Sequence, residues 1–154
     1  MGRAIALGTL VAGTLDILFA VILSLIFGRE PAAMLRYVAS GPFPQATDWG
    51  AAGSALGLVV HFTLMALMAA IYVFFARQRP AILGRPVRSG MIYGLATYAV
   101  MNLLVVPLRF GTPLPPKPIS IATQLFAHIV LVGIPIALIA ARKLRPALSS
   151  SLGG

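Results

Sequence analysis

The chain has 154 residues, 59% of them hydrophobic and only 10% charged, with twelve basic residues against three acidic ones and a net charge of +9. This balance excludes an ordinary water-soluble domain, and the absence of cysteine excludes disulfides, zinc–thiolate sites, a cysteine nucleophile and thiol redox chemistry. The basic residues cluster at the ends of apolar runs and form no stripe on a polar face, which argues against nucleic acid as a partner.

Residues 5–27 are the first of four apolar segments. A helix needs about 20 such residues to cross a hydrocarbon core of roughly 30 Å, and it satisfies its own backbone while doing so. The run is too long for the hydrophobic region of a secretory signal, and no small-residue cleavage site follows it, so it is read as an uncleaved span. Within it, GTLDILFA places Asp16 about halfway across.

Residues 28–50 form a longer connection. Pro31 suits the first position of a short helix, with Glu30 before it and Gly41 to close it, and Met34, Leu35 and Val38 would share one face. This predicts an interfacial helix at the outer membrane surface, with Tyr37 and Trp49 near headgroup level. The alternative is an irregular loop.

The second span, residues 53–76, carries His61 within LVVHFTL and small residues at Gly53-x-x-x-Gly57. A short basic connection, RQRPAILGRPVRS, leads to the third span at residues 90–110, with Asn102, Tyr98, Arg109 and a second glycine pair, Gly90-x-x-x-Gly94. The proline-rich GTPLPPKP (111–118) is expected to be extended and stiff. The fourth span, residues 120–141, holds Gln124 and His128 within LFAHIVL. Residues 1–145 make one membrane domain, and residues 146–154 are expected to be a disordered cytoplasmic tail.

Two prolines fall inside spans. Pro107 cannot bond back to the carbonyl of Leu103, nor Pro135 to that of Leu131. They are either tolerated kinks or bends that open a cavity near the histidines.

Arg3, Arg77, Arg79, Arg85, Arg88, Arg142, Lys143 and Arg145 lie on one side of the four spans; Arg29, Arg36, Arg109 and Lys117 lie on the other, offset by Glu30 and Asp48. The positive-inside bias predicts both termini in the cytoplasm. It also makes the lipid bilayer, and its anionic headgroups on the cytoplasmic side, the natural partners. A second copy of the chain, or a larger membrane complex for which this chain is an accessory subunit, are the protein partners considered.

The halves echo each other. Gly8 precedes Asp16 by the same interval that separates Gly94 from Asn102, and both even-numbered spans contain Leu-x-x-His-x-x-Leu. The expected fold is an all-α transmembrane four-helix bundle, built either from unrelated spans or as a tandem repeat of a two-helix unit. At 1.5 Å per residue, Asp16, His61, Asn102 and His128 come to comparable depths, about 12–16 Å from the outer surface. They share faces with small or polar neighbours, so they should point into the bundle.

An ionised carboxylate against lipid is costly, so Asp16 should be paired, hydrated or protonated. The layer is therefore either hydrogen-bonding glue between helices or a site for a proton or small polar species, with Tyr98, Gln124 and Arg109 in support. Two alternatives use the histidines directly. His61 and His128, on parallel spans, can ligate a b-type haem iron in an electron carrier. His61, His128 and Asp16 together offer nitrogen and oxygen ligands for a metal ion, though no His-x-x-x-His spacing supports one. Phosphate-binding glycine loops, nucleophile elbows and paired carboxylates are absent, so a non-enzymatic role is expected and no catalytic residue is assigned.

GTLD, ASGPF (39–43), GLVVHF (57–62) and MNLLVVPL (101–108) together resemble a group of uncharacterised small bacterial four-span inner-membrane proteins, over most of residues 8–135. The resemblance implies a bacterial inner-membrane location and carries over no catalytic residues.

Overall fold

The structure, a computed structural model, describes residues 1–144; the tail of residues 146–154 lies outside the described residues. The chain is helical throughout its ordered elements: α1 (Gly2–Ile26), α2 (Pro31–Ala39), α3 (Gly50–Gln78), α4 (Pro86–Phe110) and α5 (Pro118–Leu144). Four of these, all but α2, are long and apolar enough to cross a membrane, and the chain is an integral, multi-pass helical bundle by length and composition. Each end of these four helices lies within four residues of the corresponding end of an apolar segment. Below, the end of the bundle that carries α2 is called the outer end.

The punctuation is local. Pro31, Pro86 and Pro118 each open a helix, where the missing N–H is no loss. Gly111 closes α4 in the left-handed conformation (φ 62°), its N–H bonding the Pro107 carbonyl at 2.8 Å. Gly28, at φ 64°, turns the chain after α1. The expected interfacial helix is present as α2. Two short 3-10 turns, Pro44–Asp48 and Pro80–Gly84, were not anticipated.

Both internal prolines have a specific consequence. α4 is π-helical over Ala99–Val105 and α5 over Ala127–Gly133, and in each case the proline is the second residue of the α-helical turn that follows. Proline removes one i→i−4 bond, and widening the preceding turn to i→i+5 absorbs the mismatch without leaving a sharp kink. Asn102 and His128 lie within these widened turns.

α1 packs against both α3 and α5, and α5 packs against α4. Close approach depends on small residues. Gly8 sits over the Ala69 side chain, and a side-chain carbon on Gly90 would come 2.7 Å from the Gly133 carbonyl oxygen. Gly94 meets the backbone at His128 and Ile129. The Gly53 and Gly57 pair does not receive another span, as a reading of spans alone would suggest. It seats the connection: Gly57 lies against the Leu35 backbone and Gly53 against the Ala46 carbonyl. Ser54 Oγ adds a 3.0 Å bond to the Ala32 carbonyl.

The core between α1, α3 and α5 is built from small and medium side chains, among them Ala12, Ala69, Val73, Val132, Ile136 and Ala137. Large apolar side chains such as Leu18, Leu25, Phe74, Ile92 and Leu108 point outward. That inversion suits a bilayer, where association is driven by close packing and apolar bulk is best spent on lipid.

α3 and α4 are the exception to close packing. In the inner half they meet through side chains: Tyr93 donates to the Met68 carbonyl at 2.7 Å, and the Tyr72 and Ser89 hydroxyls bond at 2.7 Å. In the outer half they part.

Candidate functional site

The gap between the outer halves of α3 and α4 is a cavity of about 810 Å³. Its walls are mostly apolar, from Val60, Leu64 and Met65 on α3 to Met101, Val105 and Val106 on α4. Asp16 of α1 with Gln124 and His128 of α5 close its back, and His61 joins them from α3. Tyr37 and the turn Gly41–Phe43 roof it, with Arg109 and Phe110 beside them.

The roof is tied across the gap. Arg109 Nε donates to the Gly41 carbonyl at 2.6 Å and Nη2 to the Ser40 carbonyl at 2.7 Å. The Tyr37 ring stacks on Phe110 with centroids 4.5 Å apart. α2 rests on α3, so these contacts fasten the connection to the far helix. Partial burial pushes the Tyr37 hydroxyl above the usual phenol range, while the nearby Arg109 charge pulls it down. With the first effect the larger, the hydroxyl stays protonated at neutral pH.

The four residues of the expected polar layer form two pairs. Asp16 Oδ2 lies 3.9 Å from His61 Nδ1. Asn102 Nδ2 lies 3.2 Å from His128 Nε2. The pairs follow the expected two-span units, α1 with α3 and α4 with α5. Asp16, His61 and His128 line the same cavity; Asn102 does not, and stands behind His128. Tyr98 packs its ring edge-on to His128 at 6.0 Å. Gln124 lines the cavity, and Arg109 belongs to its roof.

His61 Nε2 lies 2.9 Å from the Gly13 carbonyl oxygen. A carbonyl only accepts, so Nε2 carries the proton and Nδ1 faces Asp16 with a lone pair or a second proton. Gly13 is the partner that residue patterns could not supply, since any backbone carbonyl looks alike in a sequence. It is also sterically constrained: a side chain there would reach within 2.7 Å of the Phe62 ring, which packs edge-on to His61 and would have to shift.

His61 is buried, while Asp16 keeps 18% of its side chain exposed toward the cavity side of the bundle. Asp16 thus has one polar partner among the described residues, and that partner is beyond hydrogen-bond length. Two buried side-chain atoms among the described residues have no hydrogen-bond partner, Thr9 Oγ1 and His128 Nδ1. Thr9 lies on the same face of α1 as Asp16, about two turns nearer the inner end.

The haem alternative fits this arrangement poorly. Each histidine commits Nε2 to a protein group, His61 to Gly13 and His128 to Asn102, and axial ligation by both would require releasing both bonds. Nor do His61, His128 and Asp16 converge into a metal-holding group among the described residues. Of the methionines at the cavity wall, Met65 shares the His61 face at helical spacing, whereas Met101 carries no signal of its own in the sequence, because a thioether in a span looks like ordinary core. Comparisons with known protein families, curated proteins and solved structures returned no match to the chain.

Proposed function

We propose that this is a bacterial inner-membrane protein, with both termini cytoplasmic, that holds one exchangeable proton between Asp16 and His61 at the wall of a cavity facing the bilayer. The observation that carries the reading is the bond from His61 Nε2 to the Gly13 carbonyl. It fixes the tautomer, so the atoms that face each other at 3.9 Å, His61 Nδ1 and Asp16 Oδ2, are both lone-pair donors unless something positive lies between them. One proton answers that requirement, on either atom, and leaves the pair neutral. Without it the pair bears one negative charge in a low-dielectric setting.

The Asn102–His128 pair has no carboxylate. It supports the site structurally, holding α4 to α5 through a bond worth about 0.6–2 kcal/mol in a membrane.

Infrared difference spectroscopy of protein in lipid, between acid and alkaline pH, tests the reading. A protonated-carboxyl band, or with the proton on His61 the Asp16 carboxylate bands, should change as one group titrates, and that change should vanish in Asp16→Asn, with helical content and thermal unfolding unchanged. Asp16→Asn with the parent's proton uptake overturns the proposal and leaves the cluster as interhelical glue.

A further inference from the structure

Resting on that proton-holding reading, we infer that the cavity between α3 and α4 binds an amphipathic cation, an ammonium-type group on an apolar body, which replaces the proton held by Asp16 and His61.

Size comes first. About 810 Å³ is far more than a proton or a bare ion requires and lies in the range of pockets for drug-sized ligands, about 300–1,000 Å³. Chemistry of the walls comes next. A hydrated ion or a sugar would leave most of its hydrogen bonds unmade against Val60, Leu64, Met65 and Val105. The body of the ligand is therefore apolar, and flexible methionines suit varied shapes.

The charged end follows from what is unsatisfied. Asp16 offers a carboxylate whose one polar partner is 3.9 Å away, and once the pair has lost its proton His61 Nδ1 turns a lone pair toward the same point. Both groups accept and neither donates, so the complementary group is positive. The ionisable groups around the cavity are Asp16 from α1, Tyr37 from α2, His61 from α3, Arg109 from α4 and His128 from α5. Arg109 does not neutralise Asp16, because two of its nitrogens are spent on the Ser40 and Gly41 carbonyls at the roof. His128 has its Nε2 on Asn102. The rings of Tyr37, Phe43 and Phe110 line the outer part of the cavity and extend its apolar wall.

The route is lateral. Val59, which lines the cavity, is 61% exposed, and Thr63 and Val105 beside the gap are exposed too. A ligand dissolved in the outer leaflet reaches Asp16 between α3 and α4 without crossing the Arg109 roof. As the cation binds, the proton leaves to solvent, so charge at the pair is conserved.

Tetraphenylphosphonium is the probe, since its charge is permanent. Its size-matched anion, tetraphenylborate, and neutral triphenylphosphine oxide are the controls. Equilibrium binding to the purified full chain in mild detergent should be saturable for the phosphonium at one site per chain. Affinity should rise with pH, approaching tenfold per pH unit while the pair is protonated, and level off once the pair has lost its proton. Asp16→Asn should weaken it about thirtyfold or more, and Asp16→Glu should restore pH-dependent binding. If Asp16→Asn does not fold, the pH dependence of the unmodified chain and the Asp16→Glu variant decide. Equal or tighter binding of either control, or pH-independent phosphonium binding, overturns the cation assignment. So does the absence of phosphonium binding. In that last case a titrating carboxyl band that is lost in Asp16→Asn shows that the proton-holding site stands and only the ligand class has failed; loss of both sinks the two together.

Discussion

Asp16, His61 and Gly13 form the smallest unit with a chemical consequence, because a single backbone carbonyl decides which histidine nitrogen meets the carboxylate. Two substitutions at His61 separate its roles. His61→Ala removes the donor to Gly13 and leaves a void beside Phe62, and it should lower stability by about 2–4 kcal/mol, read as a shift in detergent unfolding. His61→Gln keeps an N–H donor within reach of Gly13 and should unfold close to the parent, while the one-proton titration moves to a different midpoint, that of Asp16 without its imidazole neighbour. If His61→Gln leaves the midpoint where it was, Nδ1 has no part in it. Gly13→Ala belongs with these. Its new methyl meets the Phe62 ring at 2.7 Å, a ring that can rotate away only by disturbing its edge contact with His61. A loss of about 1–3 kcal/mol is expected.

Among the elements, α4 and α5 are the most exacting pair, because their backbones touch. Gly94 lies against the His128 carbonyl and Ile129 Cα, and no side-chain rotation relieves a methyl placed there. Gly94→Ala should therefore exceed the Gly13→Ala effect, about 3 kcal/mol or more, and should separate Asn102 from His128. Gly2→Ala, with nothing within 4 Å, serves as the neutral control. The roof is held differently, by a cation on two carbonyls. Arg109→Ala should speed amide exchange over residues 40–49 by about tenfold, measured by mass spectrometry, while α3 and α5 exchange as before. Unchanged exchange in that segment would mean that the Tyr37–Phe110 stack holds the roof by itself. The π-helical turns belong to this scale as well. Both precede a proline by the same offset, and both carry a member of the Asn102–His128 pair, so a proline sets the register of the polar residue upstream of it.

For the molecule as a whole, the asymmetric placement of basic residues predicts orientation. The chain has no cysteine, so one introduced cysteine is a unique label site. Thr47→Cys should react with a membrane-impermeant maleimide on intact cells, and Gly84→Cys only after the membrane is opened. The reverse pattern would invert the assigned topology. The same view shows why the bundle has a cavity at all. In a two-fold arrangement of helix pairs, the α1–α5 and α3–α4 contacts would be equivalent. Here α1 and α5 close on small residues, Gly8 against Ile136 among them, while α3 and α4 diverge above Tyr72 and Tyr93.

What the sequence determined by itself is the set of four helices long and apolar enough to span, and the short helix opened by Pro31. These follow from local quantities: bilayer thickness, rise per residue, and the demand that every buried backbone group be bonded within its own helix. The tertiary structure alone decided that Asp16 meets His61 while Asn102 meets His128, that Gly53 and Gly57 seat α2, and that α3 and α4 part to leave a cavity. In a soluble helix an apolar stripe marks the packed face. In a bilayer the lipid-facing side is as apolar as the core, so that marker is faint, and the choice of neighbours rests on surface fit between residues far apart in the chain.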